Sequence, residues 1–328
     1  MTHENDEPKV YIVILNWNNF EDTERCLRSL HDQKYNNYKI VVIDNGSADD
    51  SASKIKDICE STDAIDLIKL PENIGYTGGN NVGIKYSLEQ GAEYVWLFNN
   101  DAVAEPNMLK YLIESFKDDS RLGVVSPIVK DIGTNNVQFA LGVFDLNTPT
   151  YTPVYSEDLA DKYIINGETN IAIVGTAMLV KRSVFDQIGV LDDEIFAYWE
   201  DIEFSIRSVS AKFVNKVINT TSLLHPPKKT IDSPETVKPH YYYFMARNEL
   251  IMWRKHCSQM AYIRSIYWAF HRQIKQIDRM PNYRAGKIAI FDGLWDGIIG
   301  RGGRYEPAYY RPRKIIEIIL RITHKISV

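Results

Sequence analysis

The chain has 328 residues, 45% of them hydrophobic and 25% charged, with a net charge of −5. This is ordinary globular composition, enough for one large α/β domain with an appendage or for two small domains, and no apolar run approaches the ~20 residues needed to span a bilayer. The charge is unevenly spread: residues 240–328 hold 16 Lys and Arg against 6 Asp and Glu, a balance of +10, and the remainder 22 against 37, a balance of −15. An acidic body with a basic tail argues against a nucleic-acid binder.

Residues 1–8 are polar and acidic and read as a disordered leader without an export signal. The cysteines Cys26, Cys59 and Cys257 are odd in number and far apart, which fits neither a disulfide framework nor a zinc site and points to a reducing cytosol. Val10–Leu15 is a continuous apolar, β-branched run, the mark of a strand buried on both faces. Helical spacing follows over 21–30, then a second buried strand over 39–43 ends in Asp44-Asn45-Gly46-Ser47. A helix over 50–60 is capped by Ser47 or Asp49, and a strand over 65–70, a helix over 79–90 and a strand over 94–98 complete the series. The βα alternation predicts an α/β fold with a Rossmann-like, mostly parallel sheet flanked by helices. Ligands of such sheets sit outside the carboxyl ends of the strands, where Asn16–Asn19, Asp44–Ser47, Asn73–Asn81 and Asn99–Asp101 all fall.

A helix over 106–117 and a strand over 123–129 come next. Residues 131–168, rich in Thr, Asn, Pro and Tyr, form a hairpin or an acceptor-facing insertion. A strand over 171–180, helices over 182–188 and 200–210, and a strand over 212–218 lead to His225. The first domain spans about 9–240, its nucleotide-binding half ending near 130 and its acceptor and catalytic half covering 131–240. The basic region 241–328 is a helical C-terminal extension. Its interleaved aromatic residues suit three arrangements: packed helices with solvated basic faces, an amphipathic surface on an anionic membrane, or a homo-oligomer contact.

Four clusters carry chemistry. Asn99-Asn100-Asp101 closes an apolar strand, where oxygen ligands for Mg²⁺ or Mn²⁺ and a diphosphate belong, although Asn and Asp are also common turn formers. Glu200-Asp201 is a carboxylate pair at a helix start, suited to general-base work or to plain capping. His225 follows a strand and is either structural or a ligand. Asn73–Asn81 is a Gly- and Asn-rich stretch that opens a helix and lets backbone N–H groups approach phosphate. It lacks the Gly-Lys-Ser/Thr of a P-loop and the Gly-x-Gly-x-x-Gly of a dinucleotide fold.

Taken in order, Ile14–Asn18, Val42–Ser47, Asn73–Gly83, Phe98–Asp101, Gly175–Leu179 and Gly189–Arg207 resemble the inverting family 2 glycosyltransferases with the GT-A fold. Within them the rhamnosyltransferase-like and galactofuranosyltransferase-like members are most similar. The likeness covers about residues 9–256, ending in Arg247-Asn248 and Arg254-Lys255-His256. It implies transfer of a sugar from a dTDP- or UDP-linked donor, rhamnose first, to a hydroxyl of a glycan or lipid-linked glycan during cell-surface polysaccharide synthesis. The enzyme would be cytoplasmic or peripheral at the inner face of the membrane.

By that resemblance Asp44 contacts the nucleoside, with Asn16, Asn45, Asn73, Gly78, Asn80, Asn99 and Asn100 around the nucleotide sugar. Asp101, aided by Asn99, takes the Asp-x-Asp metal position, and His225 is the additional ligand. Asp201 is the catalytic base and Glu200 its fallback. The first acidic position of Asp-x-Asp is Asn99 here, an amide that brings no charge. Asn99 is also the one feature favouring a different reading, a non-catalytic nucleotide-sugar-binding scaffold subunit of a polysaccharide assembly complex.

Overall fold

The computed structural model describes residues 7–117, 119–227, 237–280 and 282–326, with side chains through Leu320. Residues 1–6 of the expected leader lie outside this set. Glu7 and Pro8 do not belong to a loose leader: the Pro8 carbonyl accepts from the Tyr35 hydroxyl (2.6 Å) and the Glu7 carboxylate from the Asn36 N–H (2.9 Å).

The apolar runs form the sheet that their burial demands. Strands β1 (Val10–Asn16), β2 (Tyr38–Asp44), β3 (Ile65–Lys69) and β4 (Tyr94–Asn99) are mutually parallel. With β5 (Leu122–Asp131), β6 (Val137–Phe139), β10 (Ala177–Lys181) and β11 (Val214–His225) they make an eight-stranded sheet, ordered β11-β5-β10-β4-β1-β2-β3 with β6 beside β5. Strand β10 runs antiparallel to both β4 and β5. The sheet is therefore mostly parallel, as the βα alternation requires. Register matters most at its carboxyl edge. Asn16 pairs with Asp44, and Leu15 with Asn99, so the polar ends of β2, β1 and β4 stand side by side.

Helices α1 (Phe20–His31), α2 (Ser51–Glu60), α3 (Gly75–Glu89) and α4 (Met108–Ser115) flank the strands. Asp49, not Ser47, serves the start of α2, accepting from the Ser51 N–H (3.0 Å). Helix α3 opens four residues earlier than the spacing predicted, because the Asn73 amide oxygen accepts from the Gly75 N–H (2.8 Å) and caps the first turn. Its glycines serve packing. A Cβ at Gly79 would stand 2.3 Å from Leu15 Cδ1, and one at Gly83 2.3 Å from Val13 Cγ1, so one glycine stripe lets α3 lie directly on β1.

The loosely patterned segment resolves into a hairpin and a helix. Strands β7 (Leu141–Asp145), β8 (Thr150–Val154) and β9 (Ile171–Ala172) form a three-stranded sheet ordered β8-β7-β9. Helix α5 (Glu157–Ile165) follows β8, capped by Ser156. The strand expected over 171–180 is broken into β9 and β10, with Gly175 in the gap. Helices α6 (Arg182–Ile188) and α7 (Glu200–Ser210) occupy their predicted places.

The chain divides into two compact units. One comprises Met1–Val143, Thr152–Leu191 and Phe204–Pro227, and the other Phe144–Tyr151, Asp192–Glu203 and Lys228–Val328. The second unit holds α8 (Pro239–His256), α9 (Gln259–Asp278), α10 (Arg284–Ile299) and α11 (Arg313–Ile326) around its own apolar core, which includes Tyr243, Phe244, Leu250, Phe270, Ile290 and Leu294. Helix α10 presses on α8 through Gly293 and Gly297, whose Cβ atoms would meet the Tyr243 carbonyl at 2.4 Å and the Arg247 carbonyl at 2.9 Å. Buried Asp296 accepts from Tyr243 (2.6 Å) and from Arg311 (2.7 Å), which ties the segment leading into α11 to α10. Among the described residues no helix is long and apolar enough to cross a membrane.

Candidate active site

In the first unit the three strand ends build one hydrogen-bonded cluster. Asn16 is fully buried and donates from Nδ2 to Asp44 Oδ1 (2.9 Å), while its Oδ1 accepts from the Thr23 hydroxyl (2.9 Å). Asp44 also accepts from the Ser47 hydroxyl (2.6 Å) and the Ser47 N–H (3.1 Å). Asn18, in the left-handed region at φ 51°, donates from its N–H to Ser47 Oγ (2.9 Å) and accepts from the Ala48 N–H (2.7 Å). Beside this, the Asn45 Nδ2 donates to Asn73 Oδ1 (3.3 Å) and the Gly75 carbonyl (3.0 Å), and its Oδ1 accepts from the Ile74 N–H (3.0 Å). The loops after β2 and β3 are thus cross-braced by asparagine amides. Gly46 lets them meet: its φ is +68°, and a Cβ there would lie 2.5 Å from the Glu72 backbone.

Not every residue that the resemblance names faces this edge. Asn80 is buried and donates to the Tyr76 carbonyl (2.9 Å), and Gly78 sits in the first turns of α3 against Ile74. Asn100 donates to the Thr23 hydroxyl (2.9 Å), which links the end of β4 to the same network. Asn99 lies 3.0 Å, through Oδ1, from the Tyr76 hydroxyl. Sequence reading missed Thr23, Tyr76 and Gln138, which brace these groups from neighbouring elements.

Asp101 and His225 come together although 124 positions separate them in the chain. Strand β11 ends at His225, and Nε2 lies 3.2 Å from Asp101 Oδ1. That contact is short but poorly aligned, so the buried oxygen has no hydrogen-bond partner among the described residues. The opposite ring nitrogen Nδ1 lies 3.2 Å from Gln138 Oε1 and 3.0 Å from the Pro226 carbonyl, which fixes the ring plane. Burial acts to raise the Asp101 carboxyl, but the His225 imidazole, a backbone N–H and Arg25 outweigh it and hold the group below its ordinary value. A carboxylate kept ionised, with an orphaned buried oxygen beside an oriented imidazole, is a donor pair that fits a divalent cation. Among the described residues no group of three or more His, Cys, Asp or Glu side chains converges. Further ligands at such a pair would come from an amide, water or substrate phosphate.

In the second unit the chain turns sharply before α7. Tyr198 and Trp199 both take left-handed conformations, φ 67° and 75°, a combination that costs non-glycine residues on the order of 1–2 kcal/mol each. The buried Asn248 amide donates to the Ala197 (2.7 Å) and Tyr198 (2.9 Å) carbonyls and accepts from Arg247 Nε (2.7 Å). Tyr198 packs edge-on against Tyr241, and Trp199 against Tyr151. This corner delivers Glu200 and Asp201 to the first turn of α7. Glu200 is buried, its Oε2 lacks a hydrogen-bond partner among the described residues, and burial together with the neighbouring Asp201 charge raises its carboxyl to about 8. Asp201 is partly exposed and accepts from the Ile202 N–H (2.8 Å). Two adjacent carboxyls are therefore differentiated: one is neutral at pH 7, the other more open to solvent.

The sequence pattern of glycosyl transferase family 2 matches residues 11–189. The dTDP-rhamnosyl transferase RfbF of Shigella flexneri is 24% identical over 314 residues, covering 90% of this chain and 98% of that protein. The low-salt glycan biosynthesis hexosyltransferase Agl10 of Haloferax volcanii is 30% identical over 202 residues, 60% of each chain. Among solved structures, a mannosyltransferase from Pyrobaculum calidifontis in complex with GDP-Man and Mn²⁺ superposes with a TM-score of 0.56 at 14% identity, covering 98% of this chain and 87% of that one. The fold is accordingly that of the GT-A glycosyltransferases.

Proposed function

The chain belongs to glycosyl transferase family 2, and we propose that it transfers a sugar, with inversion, from a nucleoside diphosphate donor to a hydroxyl of a glycan or lipid-linked glycan in cell-surface polysaccharide synthesis. The observation that carries this reading is the pairing of Asp101 with His225 next to the braced strand ends of β1, β2 and β4. Asp44, with Asn16, Asn45, Asn73 and Asn100 behind or beside it, receives the nucleoside. Asp101 and His225, joined by Asn99, hold the cation. A divalent cation held there, Mg²⁺ or Mn²⁺, would supply Lewis acidity toward the negative charge of the diphosphate. Asp201 takes the proton of the acceptor hydroxyl; Glu200, the fallback base, is protonated at neutral pH and would serve only after it ionises.

The likeness to a dTDP-rhamnosyl transferase across 90% of the chain favours dTDP-rhamnose as donor, ahead of UDP-galactofuranose. The structural relative solved with GDP-Man and Mn²⁺ supports a nucleotide sugar and a divalent cation. For the acceptor side, α9 carries Met260, Ile263, Tyr267 and Trp268 at helical spacing, 65%, 55%, 36% and 45% exposed, with Arg264 and Lys275 exposed on the same helix. An apolar and aromatic stripe with cations suits the anionic inner face of the cell membrane, where a lipid-linked acceptor would be presented.

The test is a thermal shift against dTDP, UDP and GDP with and without Mg²⁺ or Mn²⁺. Ligand at 100 times its dissociation constant stabilises by ~2.7 kcal/mol. A metal-dependent shift with one nucleotide that disappears in Asp101→Ala is expected. Nucleotide binding with no turnover across a donor and acceptor panel would instead favour the scaffold reading. Co-sedimentation with anionic vesicles that falls in Ile263→Ser/Trp268→Ser checks the membrane contact.

A further inference from the structure

Helix α1 turns a cation toward the strand ends. Arg25, in its second turn, donates from Nη2 to the Asp22 carboxylate (2.5 Å) and to the Asp101 main-chain carbonyl (3.4 Å). Asp22 is itself held by the Asn19 amide (2.8 Å), in the loop that follows β1. One nitrogen of the guanidinium is thereby tied down beside Asp101. Nε and Nη1, the rest of the planar fork, have no hydrogen-bond partner among the described residues. The side chain is 47% exposed, and its charge is felt at the Asp101 carboxyl, after the larger influences of burial and His225. Arg28, one turn on, shows the ordinary surface case: it is 76% exposed and pairs with Glu24 (2.7 Å) on its own helix.

The charge inventory of the strand ends gives that cation a use. The segments Asn16–Asn19, Asp44–Ser47, Asn73–Asn81 and Asn99–Asp101 carry the carboxyl groups of Asp44 and Asp101 and no Lys or Arg. A divalent cation there is offset by the protein's own acidic groups. A diphosphate then keeps most of its charge uncompensated, and gains more as the sugar leaves. We infer that Arg25 is a diphosphate-binding residue, anchored by Asp22 and the Asp101 carbonyl so that its unpartnered N–H edge meets phosphate oxygens of the nucleotide donor. This deepens the glycosyltransferase reading above and rests on it. A guanidinium suits the role better than an ammonium, because it is planar and pairs with phosphate through two parallel N–H donors. Anchoring in the folded chain also reduces the rotamer freedom that binding would otherwise remove.

The sign of the effect on metal separates this role from mere support of the Asp101 turn. Loss of a nearby positive charge cannot weaken a cation site by electrostatics, whereas a disturbed turn weakens metal and diphosphate alike. The experiment is titration of the full chain as wild type, Arg25→Ala, Arg25→Lys and Arg28→Ala. The probes are dTDP with Mn²⁺ and pyrophosphate with Mn²⁺, followed by calorimetry, and Mn²⁺ alone, followed by the paramagnetic signal of the free ion. Arg25→Ala is expected to weaken both diphosphates about tenfold, ~1.4 kcal/mol, and to leave binding of Mn²⁺ alone equal to wild type or tighter. Arg25→Lys, which keeps the charge but not the planar fork, should fall between. Arg28→Ala should change binding by less than about twofold. Unaltered diphosphate binding in Arg25→Ala, a parallel loss of Mn²⁺ alone, or an equal loss in Arg28→Ala overturns the inference and leaves the donor reading standing. Wild-type protein that binds neither diphosphate removes the donor reading itself, and the role of Arg25 with it.

Discussion

The strand-end cluster around Asn16 and Asp44 and the corner at Tyr198–Asp201 are both rich in buried polar groups, yet they treat them differently. In the cluster nearly every amide and hydroxyl has its partner: Asn16 uses both ends of its amide, and Asn45 three contacts. At the corner two successive residues are left-handed, and Glu200 Oε2 and Trp199 Nε1 have no hydrogen-bond partner among the described residues. Satisfied networks give a rigid receptor, and strained, unsatisfied ones hold groups whose protonation must differ from the ordinary. Within the cluster the exception is Asp101 Oδ1, the atom facing His225. On the proposed reading, the difference separates residues that would shape a ligand's seat from those that would take part in the chemistry.

The largest effect should come from the corner. General-base assistance is worth ~10²–10⁴ in rate, so Asp201→Asn is expected to leave at most about a hundredth of the turnover while donor binding is kept. Steady-state rates beside a nucleotide titration check this, and near-normal turnover would remove Asp201 from the role. Next is the scaffold of that corner. Asn248→Ala removes the buried amide that serves the Ala197 and Tyr198 carbonyls, and should destabilise the chain by about 2–4 kcal/mol in denaturant unfolding. A loss within ~0.5 kcal/mol, the range of an ordinary surface change, would mean that the left-handed pair holds itself.

How much of this was open to a reader of the sequence follows from which interactions are local. The runs Val10–Leu15 and Tyr94–Phe98 announce buried parallel strands, because β-branched and aromatic residues without alternation fit little else. The Asn and Asp clusters at their ends then fall at the ligand edge by topology alone. The pairing of Asp101 with His225 is not a local property. It depends on β11 running parallel to β5 and ending beside the turn after β4, and the resemblance, not the spacing, pointed to it. The glycines of Asn73–Gly83 look from sequence like a phosphate loop. Gly79 and Gly83 are spaced four apart, and that interval belongs to a helix face pressed on β1. The Tyr198–Trp199 turn has no signal at all in the sequence, since neither residue favours a positive φ.

Titration sharpens the contrast between a neutral Glu200 and its neighbour. The Glu200 carboxyl is raised from 4.5 to about 8 in the folded chain. Between those pH values the native state binds a proton that the unfolded state has lost, so stability falls as pH rises through that window and levels off above it. Glu200→Gln removes the term. The variant should match wild type near pH 4.5 and exceed it by on the order of 2 kcal/mol near pH 6, read from melting temperatures at the two pH values. A gap that does not widen with pH would show that Glu200 ionises normally and that the corner carries two ordinary carboxylates.

The smallest effect separates strain with a purpose from strain without one. Lys212 is exposed and left-handed, φ 73°, in the turn that ends α7, where its N–H donates to the Val209 carbonyl (2.9 Å). Glycine takes that conformation without a Cβ penalty, so Lys212→Gly should stabilise the chain by about 1 kcal/mol. Tyr198 has a similar φ, but its ring meets Tyr241 at 5.1 Å between centroids. Tyr198→Gly relieves the same penalty yet gives up that edge-on contact and the burial around it, and should come out destabilising. Unfolding midpoints of the two variants give opposite signs on this account. If both substitutions stabilise, the corner is strained without being held, and the placement of Glu200 and Asp201 would owe nothing to the packing behind it.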